Sequence, residues 1–267
     1  MRLRCLAPGK VNLTLYVGAP RADGMHPLVS VVQPVSLADE LTLEPSPVGA
    51  SADEVVCPGV DGPNLAFRAL EEFRFATNWE ISGLKLTIAK RIPIAAGMAG
   101  GSSDAAAALR LAAQASGYAI PPDLPMRLGA DVKVMIDADR ALMTGAGEHV
   151  EKLAGDKPPL IVVPLDAELS AAEVYREFDA RDTPRTPKEL ETTAQRIRAG
   201  MFEPVNDLEP AARRLCPLID PALKALRDNG VEHAMVSGSG PTVFGISHDP
   251  DVVARLHAAG YPRAVAA

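Results

Sequence analysis

The stretch Pro93-Ile94-Ala95-Ala96-Gly97-Met98-Ala99-Gly100-Gly101-Ser102-Ser103-Asp104-Ala105-Ala106-Ala107-Ala108-Leu109-Arg110 sets how the rest of this chain folds around it. From Pro93 to Ser103, six of eleven residues are Gly or Ala, so backbone N–H groups stand clear of side chains and can approach a ligand closely. The alanine-rich run predicts a helix from Asp104 to about Ser116, stopped by Gly117, with Ser102, Ser103 and Asp104 as N-caps. A glycine loop opening onto a helix N-terminus suits phosphate, because orphan N–H donors and the helix dipole both favour an anion there. A flexible linker is the plain alternative, but linkers seldom run straight into a strong helix. Two common nucleotide loops are excluded. No Gly-Lys-Ser/Thr closes the stretch, and no Gly-x-Gly-x-x-Gly follows the strand-like LKLTIA of residues 84–89.

Composition bounds the remainder. A chain of 267 residues, 47% hydrophobic, can bury one large core or two modest ones. A net charge of −7 argues against a nucleic-acid surface, which would be basic. No run of about 18 apolar residues occurs, and MRLRCLAPGK lacks an apolar signal-peptide core, so a cytoplasmic protein without a membrane partner is expected. Cys5, Cys57 and Cys216 are scattered and odd in number, which reads as reduced thiols. His26, His149, His233, His248 and His257 show no ligand spacing, so no structural zinc is expected.

Taken in order, CLAPGKVNLTLYVG predicts an opening strand pair, with Lys10 just after Pro8-Gly9. RADGMHP is a polar turn signalled by Asp23-Gly24. LVSVVQPVSLADELTLE predicts two more strands, with Pro34 marking an edge or bulge. Residues 46–62 read as loop, and residues 65–77 as a helix capped by Asn64. In MRLGADVKVMI, Asp131 stands where a turn enters a strand. The proline-marked segment near residues 150–160 is the expected domain boundary, giving domains 1–152 and 153–267. Beyond it come a buried strand (LIVVPL), a helix around Tyr175, helices after Pro187, after the cap Asn206-Asp207 and near Pro221, a strand–turn–strand around SGSGP, and a last helix. Consecutive strands followed by interleaved helices point to the α+β class rather than a doubly wound sheet.

Several motifs, in order, resemble the GHMP kinase superfamily. They are Ala7-Pro8-Gly9-Lys10-Val11-Asn12-Leu13, Arg21-Ala22-Asp23-Gly24-Met25-His26, the glycine loop, Leu128-Gly129-Ala130-Asp131-Val132, and Ser237-Gly238-Ser239-Gly240-Pro241-Thr242-Val243-Phe244. The loop and the last motif mark the superfamily. The His26 turn, the Asp131 segment and Asn206-Asp207-Leu208-Glu209 resemble the branch whose alcohol substrate carries a cytidine diphosphate and feeds isoprenoid precursors.

The resemblance implies a two-domain GHMP fold, with an N-terminal ribosomal-protein-S5-like domain and a C-terminal ferredoxin-like α/β sandwich. It implies an ATP- and Mg2+-dependent kinase, monomeric or homodimeric, acting on a small molecule. Asp131 would be the general base on the alcohol, with Lys10 beside it, polarising that alcohol and keeping the acid ionised. Residues Pro93, Ile94, Ala95, Ala96, Gly97, Met98, Ala99, Gly100, Gly101, Ser102 and Ser103 would bind ATP, with Lys90 near the nucleotide and Ser102 or Ser103 touching Mg2+. Asn12 would orient the alcohol, His26 would read the cytosine edge, and Tyr175 would stack on the base. Four positions depart from the family pattern. Met25 replaces an aromatic, Ala99 a loop glycine that must keep φ negative to tolerate a side chain, Asp104 an asparagine, and Lys133 a proline. The other readings are a GHMP kinase for mevalonate, homoserine or a sugar, and a non-catalytic nucleotide-binding relative.

Overall fold

The computed structural model describes residues 1–46, 52–60, 62–155 and 157–267. In chain order the elements are β1 (Leu3–Val17), β2 (Leu28–Pro45), β3 (Glu54–Val56), α1 (Leu65–Thr77), β4 (Leu84–Ala89), α2 (Gly100–Ser116), α3 (Leu124–Leu128), α4 (Ala130–Met135), β5 (Ala141–Gly145) and β6 (His149–Lys152). They continue as β7 (Leu160–Val163), α5 (Ala171–Arg181), α6 (Pro187–Arg198), α7 (Glu209–Leu215), α8 (Ile219–Asp228), β8 (Glu232–Val236), β9 (Val243–Ile246), α9 (Val252–Ala258) and β10 (Val265–Ala266). The class is α+β, as expected.

Where strand pairs are predicted, β1 and β2 each run unbroken. Pro8-Gly9 makes no turn, because the run from Ala7 to Leu15 is almost wholly buried and stays extended. Pro34 sits where β2 changes neighbours: residues 28–32 pair with β5 and residues 40–45 with β4. A proline is tolerated there because neither of those two ladders needs its missing N–H.

By compactness the chain forms two units, each drawn from several segments. One unit joins Met1–Gly9, Leu37–Ile92 and Ala99–Ala138; the other joins Lys10–Ser36, Pro93–Met98 and Asp139–Ala267. In the first unit, β4 pairs antiparallel with the end of β2 and parallel with β3. The strand β3 lies in the predicted loop 46–62, of which residues 47–51 and 61 fall outside the described residues. Asn64 caps α1 as predicted, its Oδ1 accepting from Ala66 and Phe67 N–H at 2.9 and 3.2 Å. α1 buries Ala66, Ala69, Leu70 and Phe73, and packs on α2, where Ala105 to Ala108 let the backbones approach closely.

In the second unit β5 pairs with β6 and with the start of β2, and a second antiparallel sheet runs β10-β7-β9-β8. Leu160 to Val163 of β7 are all buried, as expected of LIVVPL. Phe178 from α5, Leu223 and Leu226 from α8, and Leu256 from α9 share a core with Leu15, Val17, Val163 and Val243.

Two local predictions are corrected. The helix α2 begins at Gly100, not Asp104, and Ser102, Ser103 and Asp104 are not its caps; Ala99 stands at the N-cap with no side-chain hydrogen bond. Asp131 lies in the first turn of the helix α4 rather than at a strand entrance. The β-branched run VKV favours strand by propensity, but Gly129 at φ +151 turns the chain, and burial of Val132, Val134 and Met135 decides for helix.

Candidate functional site

In the first unit the start of α2 is bare. Ala99 offers no capping side chain, so the amides of Gly100, Gly101 and Ser102 open the helix without one. A Cβ built on Gly101 meets nothing within 4 Å, whereas one on Gly100 meets Ile92 Cγ2 at 3.1 Å and Lys90 Nζ at 3.3 Å. Ala99 sits at φ +54 and Ala95, in the second unit, at φ +53. The expectation that Ala99 keeps φ negative is therefore overturned. A left-handed alanine costs about 1–2 kcal/mol, a strain that the surrounding structure must hold.

Ser103 is buried and its hydroxyl donates to the Pro8 carbonyl at 2.7 Å, while Ser102 is half-buried. Lys90 points at two acids. Its Nζ donates to Asp39 and, at 2.8 Å, to Asp104 Oδ2. Asp39 also accepts the N–H groups of Arg91 (2.5 Å) and Ile92 (2.8 Å), which pins the chain entering the loop. Burial alone would lower the Lys90 pKa, but its bonds and charge pairing with Asp104 and Asp39 raise it. Asp104 is pushed up to about 6, by burial first, with Lys90 opposing and the charge of Asp39 adding. Its Oδ1 is buried without a hydrogen-bond partner among the described residues.

Asp104 thus binds its proton more tightly folded than unfolded, where a carboxyl titrates near 3.8. Its stabilising contribution is full below about pH 4 and is lost as pH rises through about 6. Asp104→Asn, which is neutral throughout, should therefore gain Tm relative to the native chain as pH rises. Melting both proteins at pH 4.5 and 7.5 tests this; a difference that stays flat or shrinks refutes it.

In the second unit, Lys10 is 5% exposed and heads a relay of buried polar groups. Its Nζ donates to Asn12 Oδ1 at 2.7 Å, Asn12 Nδ2 donates to Ser30 Oγ at 2.8 Å, and Ser30 Oγ donates to the Thr14 carbonyl at 2.6 Å. The Ser237–Pro241 turn closes over this relay: a Cβ on Gly238 would lie 3.1 Å from Asn12 Oδ1 and 3.6 Å from Lys10 Nζ. Asn206 holds that turn, its Nδ2 donating to the carbonyls of Val236 and Gly238 at 2.8 Å each. The first half of the glycine loop docks on it as well. Thr242 N–H donates to the Ala96 carbonyl, and Gly97, at φ +73, passes so near the Gly240 carbonyl that a Cβ would stand 2.5 Å from its oxygen. Only glycine fits there.

His26 and Tyr175 come together, with ring centroids 4.7 Å apart and tilted 35°. His26 Nε2 lies 2.8 Å from Asp179 Oδ1, and Phe178 meets the ring edge-on at 6.5 Å. Met25 beside them is exposed. A separate cleft of about 490 Å³, between Tyr16, Phe202 and the Thr192–Arg196 face of α6, contains none of the predicted residues.

Sequence reasoning missed Ser30, Asp39 and Asp179. Ser30 carried a signal, a polar residue between Val29 and Val31 in β2, which buries it; Asp39, followed by Glu40, is equally buried but stood out less. Asp179, on an exposed helix face, carried none.

The sequence models of the GHMP kinase N-terminal and C-terminal domains match residues 64–142 and 187–262. A 4-diphosphocytidyl-2-C-methyl-D-erythritol kinase of Anaeromyxobacter sp. (strain Fw109-5) is 39% identical, covering 96% of this chain and 85% of its own. One from Nocardioides sp. (strain ATCC BAA-499 / JS614) is 40% identical, covering 98% and 95%. A crystal structure of 4-(cytidine 5'-diphospho)-2C-methyl-D-erythritol kinase superposes with a TM-score of 0.80 at 33% identity, over 99% of this chain and 98% of the other.

Proposed function

The chain belongs to the GHMP kinases, in the branch of the 4-diphosphocytidyl-2-C-methyl-D-erythritol kinases, and we infer from this how its own residues divide the work. It is an ATP-dependent phosphotransferase with an alcohol as acceptor, and the mevalonate, homoserine, sugar and non-catalytic readings are not favoured. Among the described residues no helix is long and apolar enough to cross a membrane.

The observation that carries the assignment of the nucleotide site is the bare start of α2. Three amides and the positive end of a 17-residue helix favour phosphate oxygens, and the open space at Gly101 lets them approach. We assign Pro93 to Ser103 to the triphosphate. Lys90, committed to Asp39 and Asp104, shapes the loop edge more than it neutralises phosphate.

A hydroxyl oxygen at Ser102 is a hard donor that suits Mg2+, which otherwise keeps waters and phosphate oxygens. Ser103 has its hydrogen committed to Pro8 and is the lesser choice. Bound Mg2+ would neutralise charge on the phosphates.

Asp131 accepts the proton of the substrate 2-hydroxyl, whose oxygen attacks the γ-phosphorus as the bond to ADP breaks. Lys10 donates to that oxygen, and Asn12, fixed by Ser30, orients it. His26 and Tyr175 hold the cytosine. In this reading residues 1–152 form the ATP-binding and catalytic domain and residues 153–267 the C-terminal GHMP domain. The enzyme acts in the cytoplasm as a monomer or homodimer, since no role assigned to it needs a second chain.

The direct test is turnover of the cytidine-diphospho alcohol with ATP and Mg2+, set against mevalonate, homoserine and sugars. Phosphorylation of one of those alcohols in preference would refute the substrate. For the loop, Gly101→Val should weaken ATP binding at least tenfold with Tm unchanged, because its side chain enters empty space that phosphate would fill. Calorimetry giving native ATP affinity in the folded variant would place the triphosphate elsewhere.

A further inference from the structure

Asp179 has no part in the roles assigned above. It lies one helical turn beyond Tyr175 on α5, so both side chains leave the same face of that helix. Its Oδ1 stands 2.8 Å from His26 Nε2. A carboxylate oxygen only accepts, so in the neutral ring the hydrogen sits on Nε2 and the lone pair is left on Nδ1.

The ring is held in that pose. Tyr175 covers one face at 4.7 Å, Phe178 abuts its edge, and the His26 side chain is only 9% exposed against 37% for Asp179. No hydrogen-bond partner of Nδ1 occurs among the described residues. The imidazole therefore offers a ligand one acceptor and no donor. Centroids 4.7 Å apart also leave no room for a base between the two rings. A base must lie edge-on to His26, in the plane of its ring, and can still stack over Tyr175.

At the 4-position cytosine carries an amino group and uracil a carbonyl oxygen; beside it N3 is a lone pair in cytosine and an N–H in uracil, so Nδ1 favours cytosine where it faces the 4-position. A lone pair on Nδ1 accepts from the amino group and repels the carbonyl oxygen. We propose that Asp179 is a specificity-determining positioning residue: by holding the hydrogen of His26 on Nε2 it makes Nδ1 an acceptor and so selects the cytidine-diphospho alcohol over its uridine counterpart. This rests on the reading that His26 meets the base edge. Without Asp179 the ring can place its hydrogen on either nitrogen, and the Nδ1–H form serves uracil as well as the Nε2–H form serves cytosine. A mispaired buried polar edge separates substrates by roughly tenfold to a hundredfold.

The test measures kcat/KM for the cytidine and uridine substrates in the full chain, for the native protein, Asp179→Ala and His26→Ala. The expected result is a cytidine preference that falls at least tenfold in Asp179→Ala, through KM for the cytidine substrate, with KM for ATP unchanged. The 15N shifts of the His26 ring should report the Nε2–H tautomer in the native protein and a mixture in Asp179→Ala. Because Asp179 is exposed, the variant is expected to fold. If Asp179→Ala lowers both substrates equally, or leaves the tautomer unchanged, the proposal is overturned while His26 keeps its place at the base. If His26→Ala itself leaves the cytidine-to-uridine ratio unchanged, the base is not at His26 and both readings fall together.

Discussion

Asp131→Asn is expected to lower kcat by at least a hundredfold while ATP still binds with native affinity. Asparagine matches aspartate in shape and keeps one acceptor oxygen but cannot take up the substrate's proton, so the substitution tests the proposed role of base directly. General-base catalysis is worth roughly 10²–10⁴-fold, which sets the size of the loss. Asp131 sits in the first turn of α4, half-buried, where a carboxylate also interacts favourably with the helix dipole. Loss of that interaction costs about 0.3–1 kcal/mol, a small drop in Tm that folding controls can separate from the chemistry. Single-turnover measurement with ATP and the cytidine-diphospho alcohol gives the chemical step, and calorimetry gives ATP affinity. A variant retaining more than about a tenth of the native rate would remove Asp131 from the role of base. Loss of ATP binding in step with the rate would make it a nucleotide ligand instead.

What could be read from residue types was the part of the site made by backbone. A loop from Pro93 to Ser103 with almost no side chains has few ways to serve a protein other than close approach, and Gly97 against the Gly240 carbonyl is such an approach. Asn64 as a cap was equally legible, because cap chemistry is local and involves the next three residues.

Pairings across long sequence separation were not. Asp39 and Lys90 are 51 residues apart, Asp179 and His26 are 153 apart, and nothing in either neighbourhood names the partner. The helix around Asp131 was hidden for another reason. Alternating valines favour a strand locally, and the burial that overrides them is decided by what α2 presents to α4. The start of α2 was misplaced because Ser and Asp are good caps in general. Here Ser103 bonds to Pro8 and Asp104 to Lys90, and the end they would have capped stays open. The local capping rule failed because both side chains have partners elsewhere, and the open helix start is the feature on which the proposed phosphate site rests.

Lys10→Met should show a loss of comparable size, about 10²–10³-fold in kcat, with the fold intact. The Lys10 ammonium is 5% exposed and donates to Asn12 at 2.7 Å, so in the proposed role its charge would meet a developing oxyanion with less screening by water than at the surface. Removing one preorganised donor of that kind costs about 2.7–4 kcal/mol of transition-state stabilisation. Methionine fills most of the lysine volume, so the packing around its stem is largely kept. Against that, Asn12 Oδ1 loses a donor, worth about 1–3 kcal/mol if the amide stays dry. The net change in Tm should accordingly be small, while the change in rate is large. A split of this kind separates a catalytic cation from one that merely props up the Asn12–Ser30–Thr14 relay. Were Lys10 only structural, Lys10→Met would lower Tm by several degrees and leave kcat within about tenfold of native in the molecules that remain folded. Lys10→Arg sharpens the comparison. It keeps the charge but not the compact ammonium, and a planar guanidinium does not reproduce the short point contact of Nζ with Asn12 Oδ1, so the rate should not be restored.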